Sequence, residues 1–137
     1  MKVFLDSSAL VKRYVREQGT DHVIDICKDA SEIAVSVVCI TEVLSACNRL
    51  VREGLITEDQ YTAIKQDFIL DIESATIIDL TGDVIQASIT CLEKGAIRSL
   101  DAIHVGAALA YGPDLFVTGD MKQKTIAEIM GIKVRFT

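Results

Sequence analysis

The chain has 137 residues, 50% of them hydrophobic, with 14 basic against 20 acidic side chains and a net charge of −6. That length predicts one domain over residues 1–137 with a sizeable core, and the acidity argues against a protein that holds nucleic acid by positive charge alone. No stretch approaches the roughly 18 apolar residues of a membrane span, and no basic and apolar leader opens the chain, so a cytoplasmic protein starting at Met1 is expected.

In chain order, strand-like and helix-like segments alternate, which predicts an α/β domain. Val3-Phe4-Leu5 reads as a strand covered on both faces, because three bulky apolar residues follow one another without polar alternation. Asp6 then stands at its carboxyl end, where open parallel sheets bind ligands. Ser7 or Ser8 is placed to cap a first helix with Leu10, Val11, Tyr14 and Val15 on its apolar face. Gly19 ends that helix, and Thr20 is the candidate cap of a second one carrying Val23, Ile24 and Cys27 inward. Ile33 to Val38 is the second strand. In the helix after it, Val43, Leu44, Cys47, Leu50 and Val51 share one face, Glu42, Ser45, Arg49 and Arg52 the other, and Gly54 closes it. Thr57-Glu58-Asp59-Gln60 has the form of a capping box and opens a helix to about Ile72.

Thr76 to Leu80 is the third strand, and Thr81 caps a helix from about Asp83 to Glu93 that Gly95 ends. Ser99 is the candidate cap of the following helix, with Asp101 in its first turn. Ala102, Gly106, Ala107, Ala108 and Ala110 suit that helix to close packing against a sheet. Gly112-Pro113 breaks it, Leu115 to Thr118 is the fourth strand, and Thr118-Gly119-Asp120 again ends an apolar strand on an acid. Met121 to Met130 and Ile132 to Phe136 complete the pattern as a helix and a fifth strand. Cys27, Cys39, Cys47 and Cys91 lack metal-ligand spacing and read as buried free thiols.

Asp6, Glu42, Asp101 and Asp120 are the candidate site residues. Each has an ordinary structural reading: Asp6 and Asp120 as helix caps, Asp101 as a first-turn acid, Glu42 as a surface residue. Taken together, all four are able to reach one end of a parallel sheet, and a carboxylate cluster repels itself unless cations fill it. Oxygen ligands without a Cys or His cluster suit Mg²⁺ or Mn²⁺. A phosphatase with Asp6 as nucleophile would need an Asp or Lys partner just after the strand, and Ser8 occupies that place.

The stretches Val3-Phe4-Leu5-Asp6-Ser7-Ser8-Ala9-Leu10, Thr41-Glu42, Leu100-Asp101-Ala102-Ile103-His104 and Phe116-Val117-Thr118-Gly119-Asp120 resemble the four motifs of PIN-domain ribonucleases, especially the VapC-type toxins of toxin–antitoxin systems. The resemblance spans the chain and implies a single PIN-like domain, an α/β fold with a parallel sheet of about five strands flanked by helices on both faces. It also implies a Mg²⁺- or Mn²⁺-dependent endoribonuclease, frequent homodimers and inhibition by a cognate antitoxin protein. Carried over, Asp6, Glu42, Asp101 and Asp120 form the acidic quartet, accompanied by the hydroxyls of Ser7 and Thr118. His104 is expected to be packed or hydrogen-bonded, since the family does not need that position for chemistry. Gln123 stands where the family often has an apolar residue. RNA phosphates would fall to Lys12, Arg13, Arg16, Arg49, Arg52, Arg98, Lys122 and Lys124. A PIN-fold RNA- or protein-binding module that cleaves nothing is the alternative. The apolar residues from Thr41 to Ile72, including Leu55, Tyr61, Ile64, Phe68 and Ile69, suggest a dimer interface.

Overall fold

The computed structural model describes residues 1–137. Lys2–Leu5 (β1), Glu32–Ser36 (β2), Thr76–Ile78 (β3), Leu115–Thr118 (β4) and Val134–Phe136 (β5) form one parallel sheet in the order β3-β2-β1-β4-β5. The helices are Ser7–Leu10 (α1), Thr20–Asp29 (α2), Val38–Arg52 (α3), Glu58–Ser74 (α4), Gly82–Lys94 (α5), Ser99–Tyr111 (α6) and Met121–Ile129 (α7).

Side chains alternate along a strand, so the central strand feeds two cores. Val3 and Leu5 pack with Leu10, Ile26, Val43, Cys47 and Phe68 from α1 to α4. Phe4 packs on the other side with Val84, Cys91, Ala102, Val105 and Ile126 from α5 to α7. Helices therefore cover both faces, as an apolar β1 without alternation requires. None of them is long and apolar enough to cross a membrane.

Thr57 makes the expected capping box: its hydroxyl accepts from Gln60 N at 3.1 Å while Gln60 Oε1 accepts from Thr57 N at 2.8 Å. The cap of α1 is Asp6 itself rather than Ser7 or Ser8, and α1 tightens into a 3-10 turn over Val11–Arg13 instead of running on to Gly19. Thr20 and Ser99 are first helical residues, not caps; Gly19, at φ 94°, and Arg98 precede them without a side-chain bond. The small-residue helix α6 does meet the sheet, but its tightest contact is with α5. A Cβ on Gly106 would lie 2.3 Å from Ser88 Oγ and 2.9 Å from Val84 O.

The hairpin of α3 and α4 is partly covered by its own domain. Phe68 is buried and Tyr61 and Ile64 pack against the core, leaving Leu55, Ile69 and Leu70 exposed. Cys39, Cys47 and Cys91 are buried free thiols, and Cys27 is half-buried.

Candidate active site

The chain lays down β1, β2 and β3 side by side, then returns to place β4 on the other flank of β1. The order reverses between β1 and β4, and the crevice beyond the carboxyl ends of such a pair is where doubly wound sheets bind ligands. Leu5 pairs with Val117, so the residues leaving these strands, Asp6 and Thr118, become neighbours.

Asp6 has no exposed surface. As the cap of α1 its Oδ1 accepts from Ala9 N at 2.9 Å, and its Oδ2 accepts from Thr118 Oγ1 at 2.6 Å. Ser8 Oγ lies 2.8 Å from both oxygens and, with one proton, serves one at a time. Ser8 Oγ also accepts from Gly119 N at 2.9 Å, which ties the two strand ends together. Burial pushes the Asp6 carboxyl above its ordinary range, against the opposing effects of Thr118, the His104 charge, Ala9 and Ser8.

Thr118 is the hub. While donating to Asp6 it accepts from Asp120 N at 2.9 Å. Asp120 caps α7, its Oδ1 accepting from Lys122 N at 2.8 Å and Gln123 N at 3.1 Å. The Gln123 side chain reaches on to Asp101 Oδ1, Nε2 donating at 3.1 Å. Burial raises the Asp101 carboxyl, and the Asp120 charge adds to the effect. On the other side, Ser7 Oγ donates to Glu42 Oε1 at 2.9 Å, and the same oxygen makes a very short contact with Nε2 of buried His104. The bond from His104 holds the Glu42 carboxyl below its usual range, burial opposing it.

The fold thus gathers the four acids at one end of the sheet in two hydrogen-bonded sets: Asp6, Asp120 and Asp101 through Ser8, Thr118 and Gln123, and Glu42 with Ser7 and His104. Among them only Glu42 has a cationic candidate partner within salt-bridge distance, His104; Asp6, Asp101 and Asp120 pair with no Lys or Arg. No three of the His, Cys, Asp and Glu side chains stand as ligands around one point.

The basic candidates separate. Lys12 is buried, its Nζ donating to Thr137 O at 2.5 Å, so it braces the end of β5 instead of meeting solvent. Arg13 faces Asp71 at 3.6 Å, Arg16 pairs with Asp21 at 2.9 Å, Arg49 with Glu53 at 3.9 Å and Lys124 with Glu128 at 3.0 Å. Arg98, Lys122 and Arg52 are exposed and unpaired, the first two adjoining Asp101 and Asp120 in sequence.

Two participants were missed in the sequence, Ser8 as a ligand of Asp6 and Gln123 as the link between Asp101 and Asp120. No local signal marks the second: three residues past a capping Asp, a Gln side chain would be expected to turn back to the Asp120 N–H, but that group donates to Thr118 Oγ1 and the amide reaches Asp101 instead.

A PIN domain profile matches residues 3–129. The chain belongs to the PIN domain family. Among curated proteins no sequence matches significantly. This PIN domain is similar in fold to VapBC2 from Rickettsia felis bound to a promoter DNA fragment, at 13% identity, TM-score 0.70, covering 100% of this chain and 99% of that one. It is also similar to VapC20 of Mycobacterium tuberculosis, a sarcin-ricin loop cleaving toxin, at 12% identity, TM-score 0.68, covering 90% and 93%. FitAcB from Neisseria gonorrhoeae matches at 11% identity and TM-score 0.71, covering 98% and 96%.

Proposed function

We propose that this PIN domain is a Mg²⁺- or Mn²⁺-dependent endoribonuclease and the toxin of a toxin–antitoxin pair. The observation that carries this reading is a set of three carboxylates, Asp6, Asp101 and Asp120, brought to the switch point of the sheet without a Lys or Arg to neutralise them. Such a set stores repulsion that a cation relieves.

The donors are hard oxygens, which fits Mg²⁺ or Mn²⁺. Mg²⁺ is commonly held by one or two carboxylates while keeping several waters, so a site without a three-ligand cage is compatible with it. Asp101 and Asp120 would hold the ion, since the Oδ2 of each receives no hydrogen bond from the protein. Both oxygens of Asp6 are engaged inside the protein, so Asp6 contributes charge and holds the crevice in shape through Thr118 and Ser8. Glu42 adds a second charge, fixed in one rotamer by Ser7 and His104. A bound divalent cation supplies Lewis acidity and charge for hydrolysis of a phosphodiester. Arg98 and Lys122, exposed and close in sequence to Asp101 and Asp120, would receive RNA phosphates, each contact adding to the salt dependence of binding.

The test is cleavage of single-stranded RNA with Mg²⁺ or Mn²⁺. Chelator should stop it, and Asp101→Asn should abolish it while the fold persists. Equal cleavage by Asp101→Asn, or by metal-free protein, would sink the proposal. A module that binds RNA or protein without cutting is the second reading, favoured by the saturation of both Asp6 oxygens; RNA binding without cleavage would select it. As a toxin, the protein should be silenced by the product of an adjacent small gene. The exposed Leu55, Ile69 and Leu70 support a homodimer, for which sedimentation equilibrium should give twice 15.0 kDa.

A further inference from the structure

We propose that Gln123 is a positioning residue of the cation site, holding Asp101 through its side-chain amide and Asp120 through its backbone N–H. The inference rests on the metal-dependent reading above and assigns to this chain a tether between two of its acids. Gln123 is 3% exposed, so its amide has no solvent to satisfy it. Nε2 donates to Asp101 Oδ1 at 3.1 Å, and the backbone N donates to Asp120 Oδ1 at 3.1 Å. One residue therefore sets the separation of the two carboxylates that keep a free oxygen.

The other half of the amide identifies the purpose. Gln123 Oε1 is buried and has no hydrogen-bond partner. Buried polar atoms are nearly always paired, and an orphan is costly to the fold. A Met or Leu would fill the same volume without that cost, so core packing alone would favour the apolar residue. What only the amide provides is the N–H aimed at Asp101. Rotating the amide by half a turn does not help: it would set oxygen against the Asp101 oxygen, acceptor against acceptor. With the tether in place, Asp101 is held in one orientation beside Asp120 despite their mutual repulsion. Without it, Asp101 is free to swing away, and the cation must reorganise the pair as it binds.

The experiment compares wild type, Gln123→Met, Gln123→Leu and Asp101→Asn by titration with Mn²⁺ in the absence of RNA, free Mn²⁺ being read by electron paramagnetic resonance. Partners that orient ligands typically change metal affinity by about 10–100-fold when removed. We expect Gln123→Met and Gln123→Leu to melt as native proteins, at or above the wild-type temperature, and to bind Mn²⁺ on the order of 10-fold more weakly or worse. In an Asp101→Asn background the same substitutions should produce no further loss. In RNA cleavage the deficit should appear as a higher Mn²⁺ requirement that excess Mn²⁺ repairs. Wild-type affinity in both Gln123 variants overturns this inference and leaves the proposed function standing. A loss that persists unchanged in Asp101→Asn overturns the route through Asp101. Failure of both variants to fold overturns the positioning role, since Gln123 would then serve the core. A wild-type protein that binds no Mn²⁺ overturns both this inference and the metal-dependent reading beneath it.

Discussion

Thr118→Val offers a sharp test of how the acids are held. The change keeps the shape of a side chain with no exposed surface and deletes the one oxygen that touches two acids. The bond from Thr118 Oγ1 to Asp6, at 2.6 Å, goes to a buried carboxylate, a class worth about 1.5–3 kcal/mol. Deletion also strips Asp120 N of its acceptor at 2.9 Å, and an unsatisfied amide costs about 1–3 kcal/mol, toward the low end here because Asp120 is half-exposed. The extra buried methyl returns about 0.8 kcal/mol. A net loss of about 2–3 kcal/mol follows, less than the 5–15 kcal/mol stability typical of a domain, so the variant still folds. Unfolding entropy near 2.1 cal/mol/K per residue then lowers Tm by roughly 7–10 °C. Urea denaturation with an unchanged m-value is the assay, alongside Asp6→Asn and the double variant. In the cycle, coupling of at least about 1 kcal/mol between positions 6 and 118 is expected. A loss under about 1 kcal/mol, or strictly additive effects, would refute the hub.

Three further outcomes are expected. Asp6 and Asp101 are both raised from the ordinary 3.8, so the folded state binds their protons more tightly and their contribution to stability declines as pH rises from 3.8 through the folded values. Metal-free Asp101→Asn should therefore gain on wild type in denaturant melts as pH rises over that window, and a pH-independent difference would contradict the assignment. Glu42 has the opposite sign: its stabilisation is present above 4.5 and is lost as pH falls through the lowered value. Gly106→Ala should cost about 1–3 kcal/mol or more through overpacking against Ser88 and Val84, and a wild-type melting temperature would show that α5 moves aside freely. Cys39, its thiol pushed up to about 12 chiefly by burial, should resist alkylation in the native protein and react on unfolding, as peptide mass mapping will report.

The sequence by itself determined the elements and their type. β1 could be read because three consecutive apolar residues admit no solvent face, and α4 because its capping box is a contact within four residues. Each of the four acids stands directly after an apolar strand or within the first turns of a helix, a position that alone leaves it an ordinary structural role; only the ordered set of motifs marks the four together as a candidate site. What only the tertiary structure decided lies between distant segments. The strand order places β4 beside β1 and so joins Asp6 to Thr118, 112 positions apart, a pairing no local pattern encodes. The caps of α1, α2 and α6 were misread because several residues in each stretch compete for the role and the surrounding packing selects among them. Lys12 has the composition of a phosphate-binding residue, yet β5 closes over it and turns its charge to a backbone carbonyl. Gln123 likewise carries no meaning in its own helix alone; it acquires one when α6 brings Asp101 within reach of its amide.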